Sequence, residues 1–204
     1  VMDEAPLRRG AASANSRWDN SVAILTGDFL FARASQILAD LGPDAVRIQA
    51  ETFEELVSGQ IRETIGPREG EDPVQHYLQV VAEKTGSLIA TSGLFGAMFS
   101  GAPEPIQAAM QAFGASIGIA FQLSDDVLDV ASDSSESGKT PGTDLREGVL
   151  TLPVLHALAV DDAPAREIGR LIGPELALAD DAEVDERVER ALVMLRQHDG
   201  MNLA

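Results

Sequence analysis

The side chains with the clearest chemical potential lie at the end of one long apolar segment. They recur at helical spacing and are Gln122, Asp125, Asp126, Asp129 and Asp133. Residues three or four apart share one face of an α-helix, so these side chains would form a single polar stripe. Carboxylates stacked one turn apart repel each other, which costs stability unless water screens them or a cation binds them. Because the preceding residues 113–123 are almost wholly apolar or small, they predict a buried helix that delivers the carboxylates into a cavity.

Two interpretations of this stripe are open: a solvated acidic face and a divalent cation site. The D-D-x-x-D spacing alone is only weak evidence for the cation site. The chain has no Cys and only three His, which show no ligand spacing. Clustered carboxylates in such a chain suit Mg²⁺, with Mn²⁺ possible, better than Zn²⁺. Since Mg²⁺ commonly bridges protein carboxylates to phosphates, the second interpretation predicts a phosphorylated ligand.

An anionic ligand also needs fixed cations, and a few basic residues stand in unusual places. Lys84 lies in a largely apolar helical stretch, where a buried ammonium needs an anionic partner. A snorkelling lysine, or a pair with Glu83, is the alternative. The adjacent Arg8 and Arg9 are suited to bidentate phosphate contacts. Lys139 lies in a polar loop, residues 134–148, whose composition is typical of a segment that a ligand orders.

The elements that must position these residues are helical, because apolar spacing and turn signals favour helices and no segment has a convincing strand pattern. We therefore expect an all-α chain forming a single domain over residues 1–204. The predicted helices run from Asp19 to Ala39, Asp44 to Glu63, Val74 to Ala90, Pro105 to Asp133, Leu150 to Val160, Ala165 to Leu171 and Asp181 to Gln197. A short apolar stretch, Thr91 to Ser100, is predicted as an element of its own between the third and fourth of these helices.

Charge and composition exclude several classes of function. The chain has 33 acidic and 15 basic residues and a formal net charge of −18, which would repel a nucleic-acid backbone, so nucleic acid is excluded as the main ligand. The absence of Cys excludes disulfides, zinc-thiolate sites and cysteine nucleophiles, and it fits the cytoplasm. No apolar run approaches the roughly 20 residues of a membrane span, so no transmembrane segment is predicted.

Taken in order, these motifs resemble those of the trans-isoprenyl diphosphate synthases, the all-α prenyltransferase family. Residues 121–129 (F-Q-L-S-D-D-V-L-D) are similar to the family's second aspartate-rich motif. Residues 83–85 (E-K-T) are similar to its central lysine segment, and residues 138–145 to its closing loop. Residues 1–10 are similar to the end of its first aspartate-rich motif, with Asp3 as the last aspartate. The resemblance implies an isoprenoid synthase-type helical bundle around a central cavity.

The same resemblance assigns roles to individual residues. The implied Mg²⁺ ligands are Asp3, Asp125, Asp126 and Asp129. The implied contacts of an allylic diphosphate are Arg8, Lys84, Thr85, Gln122 and Lys139, while Arg9 would hold isopentenyl diphosphate. The implied catalytic residues among these are Lys84, Asp125 and Lys139, which stabilise the diphosphate as the allylic C–O bond breaks. The family forms homodimers, so a homodimer in the cytoplasm is expected.

Residues 18–34 are most similar to bacterial long-chain polyprenyl diphosphate synthases that make quinone side chains. The first two aspartates of the first motif are absent, so we expect a chain truncated at the N-terminus, and a short C-terminus as well. Such a fragment is expected to have little or no synthase activity alone. Two alternatives are a class I terpene cyclase, which the paired arginines and the closing loop argue against, and a non-catalytic regulatory subunit of a prenyl diphosphate synthase.

Overall fold

The computed structural model describes residues 7–8, 11–132 and 141–204, and it confirms the all-α prediction. The first five helices are α1 (Ala14–Ala39), α2 (Pro43–Ile65), α3 (Pro73–Val81), α4 (Ser87–Phe99) and α5 (Glu104–Ala131). The later ones are α6 (Thr143–Arg146), α7 (Leu152–Leu158), α8 (Ala163–Leu171) and α9 (Asp181–Gln197). A π-helical turn (Ala82–Gly86) joins α3 to α4, and short 3₁₀ turns cover Pro174–Leu178 and Asp199–Asn202. A two-stranded antiparallel ribbon, β1 (Leu7–Arg8) and β2 (Ala11–Ala12), precedes α1.

Contacts divide the chain into two compact units, Val1–Phe53 and Glu54–Ala204. In the first unit, α1 begins five residues before the predicted start, because the Ser13 side chain caps it. Asp19 has φ of 66° and kinks the helix, and its carboxylate accepts a hydrogen bond from the Val22 backbone N–H at 3.2 Å. The predicted capping role of Asp19 is therefore confirmed for the part of α1 after the kink, while the predicted helix start is wrong.

In the second unit, α3, the π-helical turn and α4 form one continuous helical run. The predicted break between Ala90 and Thr91 is wrong; the irregularity lies earlier, at the π-helical turn. Helix α4 packs closely along α5 because glycines stand where they approach. A Cβ at Gly93 would lie 2.5 Å from the Met110 carbonyl oxygen, and one at Gly114 would lie 2.6 Å from the Ile89 carbonyl oxygen. Any larger side chain at either position would force the two helices apart.

The main core of this unit lies where the end of α5 meets the later helices. Its fully buried side chains include Val130, Val154, Ile168, Val188 and Leu195. Helix α9 also fixes the C-terminus of α5 directly: Arg196 donates to the carbonyl oxygens of Val130, at 2.8 Å, and Ser132, at 2.7 Å. These carbonyls have no partner within α5, so the guanidinium satisfies them and holds the helix end that carries the aspartates.

Two helices, α1 and α5, are long and apolar enough to cross a membrane by length and composition alone. The sequence-based prediction of no transmembrane segment used a different measure. It considered uninterrupted apolar runs, whereas both helices interleave Ile, Leu and Phe with small and a few polar residues. Core helices of water-soluble proteins meet the same criterion.

Candidate active site

The polar stripe at the end of α5 is built around a buried carboxylate. Asp126 is only 5% exposed, and the hydroxyl of Tyr77, from α3, donates a hydrogen bond to its Oδ2. The Gln122 amide, one turn earlier on α5, donates to Oδ1 at 2.8 Å. Burial raises the pKa of Asp126, while the hydrogen bonds from Tyr77 and Gln122 oppose that rise. Asp126 is thus a fully engaged carboxylate in the interior, not part of a solvated face.

Asp129 binds the backbone of residues 142–144, at the start of α6. Its carboxylate accepts backbone N–H groups from Thr143 and Asp144, both at 3.2 Å, at the start of α6. Its carbonyl oxygen accepts the Gly142 N–H at 3.0 Å. Gly142 has φ of 74°, a conformation that glycine adopts without strain, and it thereby turns the chain into α6. Asp129 therefore fixes this loop to the end of α5.

Asp144, at the start of α6, faces the same carboxylates. Burial and then the negative charges of Asp129 and Asp126 raise the pKa of Asp144 to about 7. Buried carboxyl groups whose pKa values are raised in this way cluster at functional sites. We call Asp125, Asp126, Asp129 and Asp144 the acidic region; Asp125 is half-buried on α5 beside Asp126.

Lys84 lies in the π-helical turn, a type of irregularity that is frequent at functional sites. Its Nζ contacts Glu63 Oε2, on α2, at 2.6 Å, and the Gln60 amide donates to the same oxygen at 2.9 Å. Lys84 therefore pairs with a carboxylate of the protein, and its contact with a diphosphate stays a prediction. The alternative partner, Glu83, binds Arg62 instead at 3.1 Å.

We call Arg62, Glu63, Glu83 and Lys84 the ion-pair region. It is compact because Gly59 lets α2 approach the π-helical turn: a Cβ there would lie 2.8 Å from both the Glu83 Cβ and the Lys84 backbone nitrogen.

A chain of hydrogen bonds links the π-helical turn to the acidic region. The Thr85 hydroxyl donates to the Gln122 Oε1 at 3.0 Å, and the Gln122 amide donates to Asp126. Gln122 therefore bridges two other residues that were singled out from the sequence, Thr85 and Asp126. Because Thr85 follows Lys84 in the same turn, the arrangement places a cation and a cluster of carboxylates on connected elements.

This arrangement can be compared with known proteins. The family model described as polyprenyl synthetase matches residues 1–190. The chain belongs to the polyprenyl synthetase family. It is 52% identical over 202 residues to the nonaprenyl diphosphate synthase of Mycobacterium tuberculosis, covering 98% of this chain and 58% of that protein. It is 38% identical to heptaprenyl diphosphate synthase component 2 of Geobacillus stearothermophilus, covering 97% and 62%.

Among solved structures, the geranylgeranyl pyrophosphate synthase of Corynebacterium glutamicum, complexed with calcium and isoprenyl diphosphate, is similar with a TM-score of 0.77 and 49% identity. That match covers 94% of this chain and 57% of the other. The all-α fold predicted from the sequence is therefore that of the polyprenyl synthetase family. The chain spans about three fifths of the length of these relatives.

Some predicted site residues fall outside the described parts of the chain. These are Asp3, Arg9, Asp133 and Lys139, and of Arg8 only the backbone, in β1, is described. Within residues 7–8, 11–132 and 141–204, no three His, Asp or Glu side chains converge closely enough to hold a metal ion by themselves. In the acidic region, Asp126 and Asp129 accept hydrogen bonds from protein donors.

The sequence did not single out three residues that the structure brings into this site. Tyr77 has no predicted role, Glu63 is predicted only as the end of a helix, and Asp144 only as part of the closing-loop motif. Of the three, only Asp144 could have been found from the sequence, because it ends the Gly-Thr-Asp part of the segment that is similar to the family's closing loop. Tyr77 and Glu63 act on partners 49 and 21 residues away, which no local pattern reveals.

Proposed function

We propose that the protein is a Mg²⁺-dependent prenyltransferase that condenses isopentenyl diphosphate with an allylic diphosphate into all-trans polyprenyl diphosphates for quinone side chains. The observation that carries the proposal is the hydrogen-bond chain from Thr85, beside Lys84, through Gln122 to Asp126. It links the turn that carries Lys84, a cation suited to a diphosphate, to carboxylates suited to a divalent metal. Family membership supports the chemistry, and the names of the relatives support a long-chain product.

The donor set fits Mg²⁺. The acidic region offers carboxylate oxygens without sulfur, the ligands that hard cations prefer. Burial, and then the negative charges of Asp129 and Asp126, raise the pKa of Asp144 to about 7, so a cation bound here would favour the charged form of these carboxylates. We propose that Asp125, Asp126 and Asp129, with Asp3, hold the metal. When bound, Mg²⁺ would neutralise charge on the departing diphosphate.

The chain's own residues have roles that need no assumption about the metal's geometry. Lys84, whose side chain is 38% exposed, and Thr85 would bind and orient the allylic diphosphate. Negative charge on its oxygens grows as the C–O bond breaks, so a fixed ammonium stabilises the transition state more than the ground state. Arg8, Arg9 and Lys139 are proposed to surround the two diphosphates as the family resemblance implies. The apolar run preceding Asp125 would keep water from the allylic cation.

We further propose that the protein is a homodimer. Helix α1 exposes large apolar side chains, with Trp18 55%, Leu25 66% and Phe29 63% exposed. Exposed apolar surface of this kind is typical of a face that a partner covers. Sedimentation equilibrium should give twice the monomer mass. A monomer that dimerises only after a second gene product is added would instead favour a heteromer, an arrangement consistent with a relative named as component 2.

The test of the enzymatic proposal is incubation of the protein, expressed from its complete gene, with labelled isopentenyl diphosphate, an allylic primer and Mg²⁺. We expect a ladder of products ending at a long polyprenyl length. Chelation of Mg²⁺ should abolish it, and Asp125→Ala should lower the rate by about a hundred- to a thousandfold. A folded protein that elongates nothing, or that releases a cyclic hydrocarbon, would refute the proposal.

A further inference from the structure

Glu83 is a charged side chain that is held by two helices. Its carboxylate accepts hydrogen bonds from the Arg62 guanidinium, on α2, at 3.1 Å to Oε2 and 3.4 Å to Oε1. The Gln79 amide, one turn earlier on α3, donates to Oε1 at 2.8 Å. The Glu83 side chain is only 15% exposed, so the loss of either cation or carboxylate would leave a partly buried charge without its partner. These contacts fix Glu83 to α2 and α3 together.

The π-helical turn that contains Glu83 depends on contacts of this kind. The Ser87 backbone N–H bonds to the carbonyl oxygen of Ala82, five residues earlier, which is the spacing of a π-helix. Because such turns are rare, surrounding contacts must favour this one over a regular α-helical turn. The buried Ser87 hydroxyl donates to the Glu83 carbonyl oxygen at 2.6 Å, and Gly59 lets α2 lie directly against Glu83. The ion pair of Glu83 with Arg62 therefore acts on the turn itself.

We propose that Glu83 is a positioning residue: bound by Arg62, it holds the π-helical turn so that Lys84 and Thr85 face the diphosphate. The inference rests on the proposed function and adds to it a residue that does not itself contact the ligand. Glu83 ties the turn to α2, whereas Thr85 ties it to α5 through Gln122. If the contact with α2 were lost, the turn would be held from one side only, and Lys84 and Thr85 would shift together.

The charge of Glu83 separates this inference from a simple electrostatic effect. Burial raises the pKa of Glu55, on α2, and the negative charge of Glu83 raises it further, so the field of Glu83 reaches its neighbours. A negative charge next to Lys84 opposes the binding of an anion, so removing that charge would by itself strengthen the binding of a diphosphate. It would also release Arg62, a second cation. Weaker binding after removal of the charge would therefore have to come from the position of the turn.

The test is calorimetry with inorganic pyrophosphate and Mg²⁺ on the protein expressed from its complete gene. Glu83→Gln keeps the length of the side chain and an oxygen for the Gln79 amide but removes the charge. We expect it to bind pyrophosphate about tenfold more weakly, the effect typical of residues that orient a binding group. Glu167→Gln is the matched control, because Glu167, on α8, accepts from Arg190, on α9, at 3.1 Å and so also links two helices. It should leave pyrophosphate affinity unchanged.

Two further variants show how Glu83 acts. In a Lys84→Met background, the effect of Glu83→Gln on pyrophosphate affinity should shrink to about twofold or less, because Glu83 works through the turn that carries Lys84. Arg62→Lys keeps the charge but loses the two-pronged contact, so it should also weaken binding, by up to about tenfold. Circular dichroism shows whether each variant is folded, and Arg62→Lys decides the question if Glu83→Gln is not.

The outcomes separate this inference from the proposed function. Equal or tighter pyrophosphate binding by folded Glu83→Gln, with or without a lower melting temperature, would mean that Glu83 only joins helices, and it would overturn the inference alone. Unchanged affinity in Arg62→Lys, or a tenfold effect of Glu83→Gln that persists in the Lys84→Met background, would do the same. If the unmodified protein binds no pyrophosphate with Mg²⁺ present, the proposed function fails as well.

Discussion

The acidic region and the ion-pair region lie in the same compact unit, yet their charged side chains have different kinds of partner. In the acidic region, the donors to Asp126 and Asp129 are a phenol, an amide and backbone N–H groups, all uncharged. In the ion-pair region, each cation contacts a carboxylate: Lys84 contacts Glu63, and Arg62 contacts Glu83. The donors described for the first region carry no charge, while the cations of the second are paired with carboxylates.

The difference indicates how each region would respond to ligands. The acidic region should gain stability from a cation that enters it, because burial and then the neighbouring carboxylates raise the pKa of Asp144. The ion-pair region gains less, since an incoming diphosphate must compete with Glu63 for Lys84. Variants that disturb one region and spare the other therefore test whether this contrast is real.

The largest effect is expected at Gly142, which turns the chain into the acidic region. Its φ of 74° disfavours any residue with a Cβ, and that Cβ would lie 2.8 Å from Val188 Cγ1 and 2.9 Å from Leu192 Cδ1. Gly142→Ala should lower the free energy of unfolding by about 2–4 kcal/mol, from backbone strain and overpacking together. Urea denaturation monitored by circular dichroism measures this.

Gly148→Ala is the matched control, because Gly148 also has a positive φ, 77°, but has nothing within 4 Å of its Cβ position. It should cost about 1 kcal/mol, from backbone strain alone. Equal losses in the two variants would mean that the loop is not packed against α9 as described.

The ion-pair region has its own glycine test. Gly59→Ala places a methyl group against Glu83 and Lys84, so α2 or the π-helical turn must move, and we expect a loss of about 1–3 kcal/mol in the free energy of unfolding. Gly96→Ala, in α4, is the control: nothing lies within 4 Å, and alanine favours the helix by up to about 1 kcal/mol. A Gly59→Ala protein as stable as the Gly96→Ala protein would contradict the close approach of α2.

The contrast between the regions was only partly predictable from the sequence. The helical spacing of Asp125, Asp126 and Asp129 required no knowledge of the fold, because periodicity determines which residues share a face. The sequence could not show that Asp126 faces inward toward Tyr77, since that depends on how α3 packs against α5. It also could not reveal the π-helical turn at Lys84, because no residue type is diagnostic of it. Local order was predictable, whereas partners distant in sequence were not.

The acidic region should also show a dependence on pH. The pKa of Asp144 is about 7 in the folded protein against an ordinary value of 3.8, so between these values the folded state binds more protons than the unfolded state. The free energy of unfolding should therefore fall as pH rises from about 4 to about 7, and Asp144→Asn should remove that part of the slope. We expect about 1–2 kcal/mol after solvent screening, measured by urea denaturation across this range.

Mg²⁺ provides the control for this prediction in the unchanged protein. A bound cation would offset the repulsion at Asp144, so the slope should become shallower when Mg²⁺ and pyrophosphate are present. If the free energy of unfolding of Asp144→Asn still fell with rising pH by the same amount, the pH dependence would belong to other groups. The evidence that the carboxylates of the acidic region repel one another would then be lost.

The smallest effect is expected for Glu63→Gln. The Lys84–Glu63 pair is partly exposed, at 38% and 22%, so its loss should lower the free energy of unfolding by at most about 1 kcal/mol. Glu51→Gln, which removes an ion pair with both side chains 61% exposed, should change it by about 0.3 kcal/mol and serves as the control.

The informative readout for Glu63→Gln is ligand binding. If Glu63 competes with a diphosphate for Lys84, the variant should bind pyrophosphate more tightly in calorimetry, whereas Glu51→Gln should not. Weaker binding would show that Glu63 orients Lys84 toward its ligand. In that case the two regions would not differ in kind, because the carboxylates of both would serve to position the residues that contact the ligand.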